Sequence, residues 1–158
     1  MITVGNVEWD SYFGEGSPSQ VYGFEKSQGI SFPKRYKYIV EHLNGAYPVN
    51  KDSFKFRSKL IDDEVVFDSG MFLPYDESKK SGETMEVINS RDIEGFPKGL
   101  IVFSVLGNGD FLCFDYREVD SEKEPSVVVW HHAGEDDNES ISFVSSTFDQ
   151  FLDELFEE

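Results

Sequence analysis

The sequence predicts an α+β fold, with a mainly antiparallel, twisted β-sheet and helices packed largely on one side of it. Three observations predict it. Two apolar runs, 100–106 and 111–116, flank Asn108-Gly109, a pair that tolerates positive φ and closes a tight two-residue hairpin. Helical periodicity appears twice before this hairpin and once at the end of the chain, so helices and strands are segregated rather than alternating. No linker, repeat or shift of composition divides residues 1–158, which are read as one domain.

Taken in order, residues 1–16 give no clear element: Val7, Trp9 and Phe13 are apolar, but Gly5, Gly14 and Gly16 weaken a helix. Ser17-Pro18-Ser19-Gln20 then combines a cap, a proline suited to the first helical position and a capping-box glutamine, with Gly29 as the exit. Val21 and Phe24 mark the inner face, and Gly23 inside the helix costs about 1 kcal/mol relative to Ala. Pro33 opens a second helix whose Tyr36, Ile39, Val40 and Leu43 fall at i, i+3, i+4 and i+7, closed by Asn44-Gly45. Lys34, Arg35 and Lys37 cluster where cations oppose the helix dipole, and nothing local explains them beyond a solvated face.

Residues 54–57 and 65–73 read as strands, separated by the turn Asp62-Asp63-Glu64 and bent at Ser69-Gly70. Residues 83–92 are ambiguous: Met85 and Ile88 fit a short helix after a Ser81 cap, the reading adopted, while Thr84, Val87 and Ile88 also suit a strand. Both hairpin runs are apolar on both alternating sets, which predicts cover on both faces and makes Cys113 a buried, inert thiol. Residues 127–130 and 141–144 are further strands around the loop 133–140. Thr147 then caps a last helix whose stripe is Phe148, Phe151, Leu152 and Leu155.

Charge excludes several functions. With 14 Lys and Arg against 31 Asp and Glu, the net charge of −17 disfavours nucleic acid and anionic membranes and favours basic partners. Residues 1–20 lack the pattern of a secretory leader, and no apolar run is long enough to span a bilayer, so a soluble, cytoplasmic protein is expected. Enzyme readings fail on spacing. His131 and His132 are adjacent in an expected strand and point to opposite faces, and Asp110 and Asp115, five apart, do the same. The run 135–139 lacks the spaced ligands of a calcium loop, and no phosphate loop or nucleophile motif occurs. No catalytic residue, metal or cofactor is expected.

Glu25, Ile30-Ser31-Phe32-Pro33-Lys34-Arg35-Tyr36 and Asn44-Gly45-Ala46 resemble the amino-terminal signature of the SUKH superfamily. Leu100-Ile101-Val102-Phe103, Gly107-Asn108-Gly109-Asp110 and Asp115-Tyr116 resemble its central hairpin. Pro125-Ser126-Val127-Val128-Val129-Trp130 with His132, and Thr147-Phe148-Asp149-Gln150-Phe151-Leu152, resemble the following strand and the closing helix. The resemblance runs in order over residues 25–152; Phe32 stands where Leu is commoner, Thr147 where Ser is, and residues 49–92 match no motif.

The resemblance implies a SUKH-like fold and a noncatalytic binder: an immunity protein that neutralises a cognate polymorphic toxin, or alternatively an intracellular scaffold or regulatory interaction module. The expected partner is a protein, a basic toxin domain such as a nuclease, met through an acidic face. The candidate face comprises Asp110, Asp115, Tyr116, Glu118, Asp120, Glu122, Trp130, Glu135, Asp136 and Asp137, with Tyr116 and Trp130 as anchors and the carboxylates as a steering rim. For Trp130 a place in the core, and for Asp110 a role in the hairpin turn, are the competing readings.

Overall fold

The computed structural model describes residues 1–75, 83–119 and 123–158, with the side chains of Asp137 and Asn138 outside the described set. Residues 1–16 form a hairpin that sequence patterning does not reveal: β1 (Ile2–Val4) and β2 (Val7–Ser11) turn at Gly5, whose φ is +64°. Helix α1 (Pro18–Gln28) follows, capped as expected by Ser17, whose Oγ accepts the Gln20 N–H at 3.3 Å, and ended by Gly29 at φ +67°. Helix α2 (Lys34–His42) begins after Pro33, and Leu43 leaves it in extended conformation, so the left-handed residue is Gly45, two positions later than a helix cap requires. Gly45 instead serves packing, since a Cβ there would lie 2.6 Å from the Phe13 ring. β3 (Ala46–Pro48) then completes a sheet of order β1-β2-β3.

β4 (Ser53–Ser58) and β5 (Asp63–Asp68) form a separate antiparallel hairpin. The expected longer strand, 65–73, is broken at Ser69-Gly70 because Phe72 leaves to pair elsewhere: its N–H donates to Ala46 O at 2.7 Å, and it bridges Ser104. Helix α3 (Met85–Asn89) buries Met85 and Ile88, but its cap is Thr84, whose Oγ1 accepts the Val87 N–H. The expected cap, Ser81, lies outside the described residues.

β6 (Leu100–Val105), β7 (Phe111–Asp115), β8 (Ser126–Trp130) and β9 (Ile141–Ser145) make an antiparallel meander, with the short α4 (Asp137–Ser140) before β9 and α5 (Phe148–Glu154) after it. The central hairpin closes on three residues rather than two: Leu106 N–H meets Asp110 O at 2.8 Å, Gly109 N–H meets Leu106 O, and Gly109 takes φ +90°. Thr147 caps α5 through the Gln150 N–H, as its sequence predicts.

Both faces of the meander are covered. On one, Phe103 and Phe114 stack at 4.1 Å and meet Tyr36 of α2 and Phe148 of α5, with α1 packed on α2. On the other, Phe111 and Trp130 meet Phe96 from the stretch before β6. Cys113 lies between them fully buried, which pushes its thiol up and leaves it inert. The architecture fits a single α+β domain with a mainly antiparallel sheet.

Candidate protein-interaction surface

The candidate acidic residues divide between the two ends of β7. At five residues the strand is about 15 Å long, so Asp110 at its entry and Asp115 at its exit have separate surroundings.

Asp110 is a buried group, 3% exposed, and this corrects its expected place on the binding face. Its carboxylate accepts the His131 ring at 2.8 Å, the His132 ring at 2.6 Å, the His132 backbone N–H at 3.2 Å and the Asn108 amide at 3.1 Å. The two histidines converge on one carboxylate instead of diverging, because β8 ends at Trp130 and the chain turns there. Since a carboxylate only accepts, both Nδ1 atoms carry hydrogen. His131 Nε2 lies within hydrogen-bond distance of Ser142 Oγ, 2.7 Å away, and Ser142 Oγ accepts the Lys59 N–H at 2.9 Å. Burial pushes the Asp110 carboxyl up, but hydrogen bonds from both histidines outweigh it and hold the group below its ordinary value.

The order Ser142, His131, Asp110 is that of a hydrolase relay, yet Ser142 is 0% exposed and its oxygen is already engaged by a backbone N–H, so no substrate reaches it. The network is a clasp that joins the β6–β7 turn, β8, β9 and the end of β4. Ser142 was invisible to sequence reasoning: one hydroxyl in an apolar strand carries no local signal. Trp130 is corrected likewise. At 4% exposure, packed on Phe96 and Phe111, it belongs to the core and is no interface anchor.

At the far end, Asp115 is held by Arg117 in a bidentate pair, Nε–Oδ1 3.0 Å and Nη2–Oδ2 2.9 Å. Burial raises its carboxyl and the guanidinium more than reverses this, leaving it below the usual range. Tyr116 is half-buried, and its hydroxyl donates to Ser31 O at 2.7 Å, tying the β7 exit to the α1–α2 connection. Tyr116 and Val119 line a groove of about 710 Å³ opposite Phe32 and Lys34. A second groove, of about 220 Å³, is lined by Asp115, Glu118, Val119, Lys123, Glu124 and Phe143, a residue that is 58% exposed. Glu118 is exposed, whereas Asp120 and Glu122 lie outside the described residues. Near the opposite end, Glu135 and Asp136 are exposed and Asp136 Oδ1 accepts the Glu139 N–H at the start of α4; the Asp137 side chain is outside the described set.

Sequence reasoning also missed why α2 begins with cations. Glu25 of α1 is buried, its Oε2 accepting the Phe32 N–H at 2.8 Å and its Oε1 pairing with Lys37 at 2.9 Å. The hydrogen bond to Glu25 raises the Lys37 ammonium above its ordinary value. Arg35 reaches Asp149 of α5 at 3.8 Å. The basic cluster thus neutralises two acids, one buried and one on the closing helix. Among the described residues, no group of His, Cys, Asp and Glu is arranged to hold a metal, and no helix is long and apolar enough to cross a membrane.

An α+β domain that seals its most reactive-looking constellation and displays open surface grooves with exposed carboxylates beside one of them has the build of an interaction module. The chain belongs to the SMI1 / KNR4 family (SUKH-1), whose model matches residues 16–154. No curated protein matches the sequence. The family supports a toxin-immunity or SMI1/KNR4-like protein-interaction role and is generally noncatalytic.

Proposed function

We propose that the protein is an immunity protein that neutralises a cognate polymorphic toxin by occluding a basic surface of it, without catalysis. Family membership carries this reading, and the net charge of −17 supports a basic partner. Of the candidate face, the exposed carboxylates Glu118, Glu135 and Asp136 are assigned to steering, with Asp120, Glu122 and Asp137 beside them in sequence, Asp115 shaping the wall of the smaller groove and Tyr116 that of the larger. Carboxylates of this kind raise the association rate toward a cationic partner and lose influence as salt rises.

The test is coexpression with the toxin domain encoded beside the gene. The wild-type chain restores growth, and the double substitution Glu118→Lys with Glu135→Lys slows association at low salt by about tenfold or more while leaving the thermal melt unchanged. If growth is not restored, the immunity reading is wrong and a regulatory interaction module takes its place. If growth is restored with an unaltered association rate, the acidic steering face is wrong.

A further inference from the structure

Among the described residues the hairpin β4–β5 leaves one strand edge open, and the pairing shows which backbone groups face outward. Ser53 exchanges both of its backbone hydrogen bonds with Phe156, Ser53 N–H to Phe156 O at 3.0 Å and Phe156 N–H to Ser53 O at 2.9 Å. Ser53 therefore turns its backbone away from its ladder partner Asp68, and the antiparallel alternation makes Phe54↔Phe67 and Phe56↔Val65 the bonded pairs. It follows that Glu64, Val66 and Asp68 of β5 direct their N–H and C=O groups toward the free side. The Glu64 N–H is taken by the Asp63 carboxylate at 2.8 Å. The Glu64 carbonyl and the N–H and C=O of Val66 and Asp68 meet no partner among the described residues.

Elsewhere such edges are covered. The Asn89 side-chain amide imitates a neighbouring strand against β6, accepting the Val102 N–H at 2.8 Å and donating to Val102 O at 3.0 Å. Leu73 N–H takes Phe103 O at 2.9 Å, and Phe156 covers β4. Among the described residues, β5 has no such cover.

The side chains specify what fits. Glu64, Val66 and Asp68 are all exposed on one face, while Val65 and Phe67 turn to the core. Across the ladder from this face β4 places Lys55 opposite Val66 and Arg57 opposite Glu64, with Lys55 3.9 Å from Glu64 and Arg57 paired to Asp62. The acidic strand thus has a basic strand on one side and, among the described residues, no strand on the other. We propose that the open edge of β5 captures an extended, basic segment of a protein partner by strand addition, with cations beside Glu64 and Asp68 and an apolar residue beside Val66. The inference rests on the reading of the protein as an interaction module and names the chemistry of its partner. A second copy of this chain is the wrong occupant, because pairing β5 with itself about Val66 sets Glu64 and Asp68 against each other across the junction.

The probe is a fluorescent, end-blocked peptide with the core Lys-Thr-Val-Thr-Lys, titrated against the intact chain by anisotropy. The expected result is saturable binding that weakens by about tenfold or more when the lysine and valine amides are N-methylated, and again in Val66→Pro. That substitution removes an outward donor and no ladder bond, which an edge strand tolerates. The N-methylated peptide, used with the wild-type chain, reads the same contact without altering the fold. Equal binding of the methylated peptide, or no binding at all, overturns the proposal. So does concentration-dependent dimerisation abolished by Val66→Pro. If the edge fails while Glu118→Lys with Glu135→Lys still slows toxin association, the functional reading stands and only the docking mode is wrong.

Discussion

Asp110 and Asp115 bound the same five-residue strand, and by sequence they are equivalent members of one acidic patch. In the folded protein they differ in kind. Asp110 is sealed and receives hydrogens from three residues, two of them more than twenty positions away, whereas Asp115 is answered by Arg117, two residues on, at the rim of a groove. A carboxylate's role is set by the donors that the fold brings to it. The count of 31 Asp and Glu therefore overstates the carboxylates a partner meets, since Asp110 and Glu25 are both buried against groups of their own chain.

The comparison is broken or confirmed first by Asp110→Ala. Removing the acceptor leaves His131 buried and the clasp between the β6–β7 turn and β9 undone, which is expected to cost about 3–5 kcal/mol. Urea denaturation reads this directly. A loss under about 1 kcal/mol means that the network does not hold the meander together.

The pH dependence is next in size. The carboxyls of Asp110 and Asp115 are both held below their ordinary value in the folded protein. Each therefore contributes stability that is complete above the unfolded value, near 4, and is lost as pH falls through the lower folded value. Wild-type stability should decline below about pH 4, and the gap between wild type and Asp110→Ala should narrow over that same range. A gap that is constant from pH 7 to pH 2 contradicts the ionised clasp.

What sequence patterning reveals is what short spacing controls. The caps Ser17 and Thr147, the stripes of α2 and α5 and the doubly covered hairpin all depend on residues within about one turn or one strand of each other, and all are found. The strands β1, β2 and β3 were not legible, because strands of three to five residues are too short to show a period, and β3 owes its existence to pairing with β2 across both helices, as Trp9 does with Pro48. The family-like stretch Asn44-Gly45 looks like a helix exit, yet Asn44 acts at long range, its Oδ1 accepting the Tyr75 N–H at 3.0 Å. The site was least legible of all. Neither the convergence of His131 and His132 nor the pairing of Glu25 with Lys37 follows from a period, because each depends on where a chain turn places a side chain.

Asp115→Ala is the smallest expected effect and the sharpest check on the contrast. The Asp115 side chain is 16% exposed but that of Arg117 is 35% exposed, so water and salt reach the guanidinium when the carboxylate is lost and no buried charge is stranded, which places the pair nearer to surface salt bridges than to the clasp. Stability should fall by less than about 1 kcal/mol, and the loss should shrink further in high salt, where the loss from Asp110→Ala stays the same. The two substitutions remove the same chemical group from the same strand, so a difference between them reports surroundings alone. Equal losses would mean that the Arg117 pair is as structural as the histidine clasp, and that the β7 exit is as poorly placed as its entry to give up its charge to a partner.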